Sequence, residues 1–196
     1  MVDRQAIVSP GFRACHRDDL PWAVVAADLL IVSDTHLAPD NRPAAENWDA
    51  VVDHVAATRP DLVLHLGDLT VNGADRLDHL RFARRQLDRL PVPWMALPGN
   101  HDLGDNPVAG FDHDSVVDDR RRQRWLDEIG RDRWRLDLDG WTVLGVNAQL
   151  LGSGLAAEAR QWDWLAGELA AVGAGGSPPA HDRRRRAQPV RPLSHR

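Results

Sequence analysis

Apolar residues in this chain fall into two alternating kinds of run. Leu29–Val32, Leu62–Leu66 and Val92–Leu97 are short aliphatic stretches, and between them apolar residues recur every three or four positions. The first kind predicts buried strands and the second predicts amphipathic helices. Ala44, Trp48, Val51, Val52 and Val55 mark the face of a helix that starts near Pro43, a favoured first helical position, and stops at Pro60. Leu77, Leu80, Ala83, Leu87 and Leu90 mark a second helix, with Arg81, Arg84, Arg85 and Arg89 forming a solvated opposite side. Strand, helix, strand, helix, strand is the grammar of a parallel sheet with right-handed crossovers. The run Leu62–Leu66 is interrupted only by His65 and bounded by Pro60 and Gly67, as befits a central strand.

The pattern then changes. Residues 104–115 read as a loop, Val117–Ile129 as a helix with Val117, Trp125, Leu126 and Ile129 inward. Trp134, Leu136 and Leu138 alternate, Asp139-Gly140 signals a hairpin turn, and Trp141–Val146 forms the return strand. A last helix presents Ala159, Trp162, Leu165, Ala166 and Leu169. Residues 1–27 have no clear period and read as a leader of uncertain structure, 28–172 as the folded domain, and 173–196 as a disordered Gly/Pro/Arg-rich tail.

Composition adds constraints more than it adds identity. A chain of 196 residues with 43% hydrophobic and 27% charged residues can bury a core of ordinary size. A net charge of −5 gives no general attraction to nucleic acid or to an anionic membrane, and no apolar run is long enough to span one. The single cysteine, Cys15, excludes an internal disulfide and fits a reducing, cytoplasmic setting. All 24 basic residues are arginine and there is no tyrosine, a bias expected of a GC-rich gene.

The candidate chemistry lies where the three strands end. The first runs into Ser33-Asp34-Thr35-His36, the second into Gly67-Asp68, the third into Pro98-Gly99-Asn100-His101-Asp102. Any one of these is weak, because Gly, Asp and His are common loop residues. Together they occupy the carboxyl ends of successive parallel strands, where open α/β sheets place their ligands. Carboxylate, imidazole and amide donors without a thiolate suit Mn, Fe or Zn in a reactive site and argue against a structural zinc.

This pattern resembles the calcineurin-like metallophosphoesterase superfamily, in its bacterial phosphodiesterase-like branch. The resemblance rests on Asp34-Thr35-His36, Gly67-Asp68 and Gly99-Asn100-His101-Asp102 and covers element order from about residue 29 to 170. It implies a four-layer α/β/β/α sandwich, here incomplete and lacking its C-terminal strands. It also implies a dinuclear site, with Asp34 and His36 on the first ion, Asp68 bridging both, and Asn100 on the second. A hydroxide held between the ions would attack a phosphoester, a nucleotide among the candidate substrates. His101 would assist the leaving group, and Asp102 would orient His101. Thr70-Val71-Asn72-Gly73 lacks the aspartate and arginine of the protein Ser/Thr phosphatases, which sets that branch aside. Ser33-Asp34-Thr35-His36-Leu37 is also similar to the DNA-repair nuclease branch, but residues 1–170 carry no strong basic groove.

The family pattern continues with a histidine after a further strand and then a Gly-His-x-His segment, and neither is found. After Leu169 no aliphatic strand follows. His181 lies at about the right distance but follows Pro178 and Pro179, and His195 sits in a terminal Ser-His-Arg. A truncation or frame shift in an arginine-biased gene is the expected cause, and it implies impaired activity with about one ion held where intact relatives hold two. A catalytically silent metal-binding remnant or regulatory fragment is the alternative, and the oligomeric state is open.

Overall fold

The computed structural model describes residues 28–107, 115–138 and 141–174. The leader before Asp28, the tail beyond Ala174 with His181 and His195, and the Asp139-Gly140 turn lie outside them. The first unit runs β1 (Leu29–Val32), α1 (Arg42–Thr58), β2 (Leu62–His65), α2 (Leu77–Leu87) and β3 (Trp94–Ala96). The three strands form a parallel sheet in the order β1-β2-β3, in register Leu30 to Val63 and Leu64 to Met95. A short helix α3 (Asn100–Leu103) follows β3 directly, and was not evident from periodicity because four residues are too few to show one. Then come α4 (Asp119–Glu128), the hairpin strands β4 (Trp134–Leu138) and β5 (Trp141–Gly145), and α5 (Ala156–Ala174). Two strands are shorter than their apolar runs: β2 stops at His65, leaving Leu66 47% exposed, and Pro93 keeps Val92 out of β3.

Alternation in the central strands sorts the core into two compartments. Val63 points toward Trp48 and Val55 of α1 and Leu80, Ala83 and Leu87 of α2, which form the larger cluster. Leu62 and Leu64 point the other way, onto Trp134 and Leu136 of β4. The two sheets therefore pack face to face, and each of these buried side chains contributes roughly 1.5–3 kcal/mol relative to exposure. Gly145 makes room for this. It pairs with Trp134 across the hairpin, and a Cβ there would come within 2.5 Å of the indole ring. On the outer side of β4, Arg135 pairs with Glu168 of α5 at 2.8 Å. Helices, sheet, sheet and helix thus follow one another as expected, with the second sheet covering only part of the first. Ile31, on the inter-sheet face of β1, is 58% exposed.

The expected face of α5 needs correction. Trp162 and Leu169 are half exposed or more, and Ala157 and Gln161 are the residues of α5 buried among those described. Gln161 accepts from the Asn147 backbone N–H and donates to the Asn147 carbonyl, both at 2.9 Å. Asn147 in turn donates to Asp132, which pairs with Arg122 of α4 at 2.6 Å. A buried polar chain thus anchors α5, where hydrophobic spacing pointed to its aromatic side. Of the arginines on and just after α2, Arg81, Arg85 and Arg89 are exposed as expected, Arg81 pairing with Glu128 and Arg89 with Asp49, whereas Arg84 is half-buried, pairs with Asp88 and lies over the Trp94 ring.

Candidate metal centre

Parallel pairing continues past the strands and carries the candidate ligand loops with it. Asp34 N–H donates to the Gly67 carbonyl at 3.0 Å, His36 N–H to Asp68 at 3.1 Å and Leu37 N–H to Leu69 at 2.8 Å. Within these loops Asp34, His36 and Asp68 have φ of 57°, 45° and 51°. Arg59 is the one other non-glycine with positive φ among the described residues. Left-handed backbone is uncommon outside glycine, though Asp, Asn and His tolerate it best. Each such residue holds strain on the order of 1–3 kcal/mol, and its concentration at three candidate ligands marks a site where side-chain direction outweighs backbone comfort.

The third loop closes on the second. Gly99 lies so near Asp68 that a Cβ would fall 2.1 Å from the Asp68 carboxylate, so only glycine allows this approach. His101 N–H donates to Asp68 Oδ1 at 3.2 Å. The outcome is a cluster in which His36, Asp68 and His101 each offer a ligand atom within 4.8 Å of the others. The two imidazoles meet edge to face, with ring centroids 4.6 Å apart. His101 Nδ1 lies 2.7 Å from the Val71 carbonyl, which fixes the proton on Nδ1 and leaves Nε2 toward the cluster. Asn100 Nδ2 donates to Asp105 Oδ1 at 3.0 Å, so the amide offers its oxygen as the donor a cation prefers. Asp34, on the same loop as His36, has its carboxylate taken by the Ser33 hydroxyl and is not one of the three residues that share ligand reach. An all-oxygen-and-nitrogen donor set, in which Asn100, Asp68 and His101 already hold a further hydrogen bond, fits a divalent ion.

Asp102 occupies a different place from the one expected. It is fully buried, and Oδ2 accepts from the Leu69 and Gly99 amides, both at 3.0 Å. Oδ1 accepts from the Thr70 amide at 2.9 Å and the Thr70 hydroxyl at 2.7 Å. Its oxygens are spent on the backbone following Asp68 and preceding Asn100, while the His101 ring is steered by Val71. Asp102 therefore clamps the second loop to the third. Burial pushes its carboxyl up to about 6, against the pull of these four donors.

Sequence reasoning passed over His65, Thr35, Thr70 and Asp105. The one available signal was His65 itself, a lone polar residue inside an otherwise aliphatic central strand. Burial lowers its pKa to about 4 from 6.5, with Asp34 and His36 contributing in opposite senses. Between those values the unfolded chain binds a proton that the folded chain refuses. The contribution to stability is therefore complete above about pH 6.5 and declines toward pH 4, by roughly 3 kcal/mol. Chemical unfolding of chelator-treated protein checks this: relative to His65→Phe, wild type should lose about that much between roughly pH 7 and pH 4. A constant difference would mean that the ring is not held neutral.

An open α/β sheet with metal-competent residues at the carboxyl ends of three consecutive strands defines a class of candidate metalloproteins. Within that class, residues 27–170 match the calcineurin-like phosphoesterase family, and the chain belongs to it. Over 92 residues it is 31% identical to the probable glycerophosphodiester phosphodiesterase GpdQ of Arcobacter nitrofigilis, covering 43% of this chain and 33% of that protein. Over 136 residues it is 28% identical to a probable cyclic nucleotide phosphodiesterase of Moraxella catarrhalis, covering 64% of this chain and 45% of that one. A solved purple acid phosphatase, PPD1 from yellow lupin seeds, aligns with a TM-score of 0.47 and 17% identity, over 77% of this chain and 28% of its own. The chain spans a third to under half the length of the curated relatives it matches. No helix among the described residues is long and apolar enough to cross a membrane.

Proposed function

We propose that this chain is a metal-dependent phosphoester hydrolase of the phosphodiesterase kind, with Asp34, His36, Asp68 and Asn100 as metal ligands and His101 at the leaving group. The observation that carries this reading is the convergence of His36, Asp68 and His101 within 4.8 Å of one another, from three separate strand ends. Bound there, Mn, Fe or Zn would supply Lewis-acid polarisation of the phosphoryl oxygens and a nucleophile derived from water near neutral pH. In this reading Asp68 would contribute to both ions, with Asp34 and His36 completing the first and Asn100 the second. His101 presents Nε2 from a ring whose Nδ1–H is held by the Val71 carbonyl; in its imidazolium form it would give the Nε2 proton to the departing oxygen and return to the Nδ1–H tautomer. Asp102 keeps the Asp68 and Asn100 loops in register.

A phosphodiester is the favoured substrate because both curated relatives bear phosphodiesterase names, and a nucleotide is the first candidate to try. A single cysteine fits action in the cytoplasm. One observation favours a second reading: His101 is itself within ligand reach, so a single ion held by His36, Asp68 and His101 would give a catalytically silent metal-binding chain.

The experiment is metal analysis of purified protein followed by hydrolysis of bis(p-nitrophenyl) phosphate and of cyclic nucleotides after loading with Mn, Fe or Zn. The described residues offer the second ion only Asp68 and Asn100, so we expect no more than about one tightly held ion and slow diester cleavage. Metal binding without any hydrolysis would favour the silent chain, and absence of binding would remove both readings.

A further inference from the structure

His65 belongs to no ligand set, yet it stands between two ligand loops. All four residues of β2 are buried, and an imidazole among them is costly unless both ring nitrogens find partners. Both do. The Gly67 N–H donates to Nδ1 at 3.3 Å, which places the ring proton on Nε2. Nε2 lies 2.9 Å from the Thr35 hydroxyl, so His65 donates to Thr35. The hydroxyl passes its own proton to the Leu69 carbonyl at 3.2 Å. One chain of hydrogen bonds therefore runs from the residue before Asp68, through the ring and Thr35, to the residue after Asp68.

Thr35 sits between Asp34 and His36, the two candidate ligands on the first loop, both in left-handed backbone. With those two side chains turned outward to the site, the Thr35 side chain turns in toward the end of the sheet and meets His65. The tilted indole of Trp48, with ring centroids 6.5 Å apart, lies on the α1 side of the imidazole. An apolar residue at 65 would fill the space but leave the Thr35 hydroxyl with one tie in place of two.

We propose that His65 is a positioning residue for the metal centre, acting through Thr35 to hold the Asp34–His36 loop in its strained conformation against the Asp68 loop. This rests on the metal-site reading above. Asp102 does the equivalent work between the second and third loops, so the three ligand loops are joined by two buried side chains, neither of which is a ligand. With Nδ1 accepting and Nε2 donating, the ring has the hydrogen-bond pattern of the neutral imidazole that such a relay requires.

The test is Mn²⁺ binding by calorimetry on the full chain, with thermal unfolding of the metal-free protein alongside. His65→Phe keeps the buried volume and Thr35→Val keeps the branched shape, and each removes the link. Each is expected to weaken Mn²⁺ binding by roughly 10–100-fold, as loss of an outer partner of a ligand does. The double variant should be no weaker than the worse single, within about threefold, because both remove one connection. Thr35→Ser restores the hydroxyl and should recover near wild-type binding. If His65→Phe fails to fold, the contrast between Thr35→Val and Thr35→Ser decides. Wild-type affinity in both single variants, equal loss in Thr35→Ser and Thr35→Val, or losses that multiply in the double variant would each overturn the proposal. Wild type that binds no Mn²⁺ would instead overturn the metal-site reading, and this inference with it.

Discussion

Asp68→Ala is expected to abolish tight metal binding, the largest effect of any single change at the site. In the proposed reading Asp68 would serve both ions, and its Oδ1 also receives the His101 backbone N–H at 3.2 Å. Loss of a direct, shared ligand should exceed the roughly 10–100-fold that an outer partner costs. Alanine at φ 51° adds backbone strain to the loss of the ligand. Asp68→Asn separates the two, since asparagine tolerates that backbone and keeps an acceptor while removing the charge. By comparison Asp34→Ala or His36→Ala should chiefly weaken the first ion. Wild-type stoichiometry and affinity in a metal titration of Asp68→Ala would exclude Asp68 as the bridge.

His101→Ala is expected to leave metal content nearly unchanged and to slow diester turnover by roughly 10²–10⁴-fold, the range for loss of a general acid. The Val71 carbonyl holds the ring by Nδ1, so removing the side chain disturbs no other described hydrogen bond than that one. The loss should shrink when the leaving group is nitrophenol, which departs without needing a proton. Equal losses for good and poor leaving groups would assign His101 to charge stabilisation at the phosphoryl group. A parallel fall in metal content would show instead that His101 completes a mononuclear site with His36 and Asp68.

The candidate site was legible because its parts are local in sequence. Asp34 and His36 follow β1 within four residues, Asp68 follows β2 within three, and Asn100 and His101 follow β3 within five. Once the strands are parallel and adjacent, their carboxyl ends must lie side by side. What was not legible is how the loops are tied. Asp102 is adjacent to His101 in the chain, and neighbourhood in sequence suggested that it orients that ring. The short turn of α3 instead buries its carboxylate beneath the Leu69, Thr70 and Gly99 amides, about thirty residues away for two of the three. His65 and Thr35 are likewise separated by thirty positions and meet only because β1 and β2 pair in register.

The α5 helix shows the same division. Helical spacing placed Trp162, Leu165 and Leu169 on one apolar side, and that side exists; whether it is covered depends on what the rest of the molecule presents to it. Among the described residues the buried contacts of α5 come from Ala157 and Gln161, and Gln161 is drawn in because Asn147 and Asp132 offer buried polar groups that need partners. Period and strand-end chemistry are properties of a few consecutive residues, so the sequence alone determined the βαβαβ order, the candidate ligand loops and the family they resemble. Hydrogen-bond partners of buried polar groups, and the choice of which apolar face is covered, are properties of distant segments brought together. Those were decided by the tertiary structure, since an unpaired buried donor or acceptor is costly and no single stretch of chain can supply its own partner.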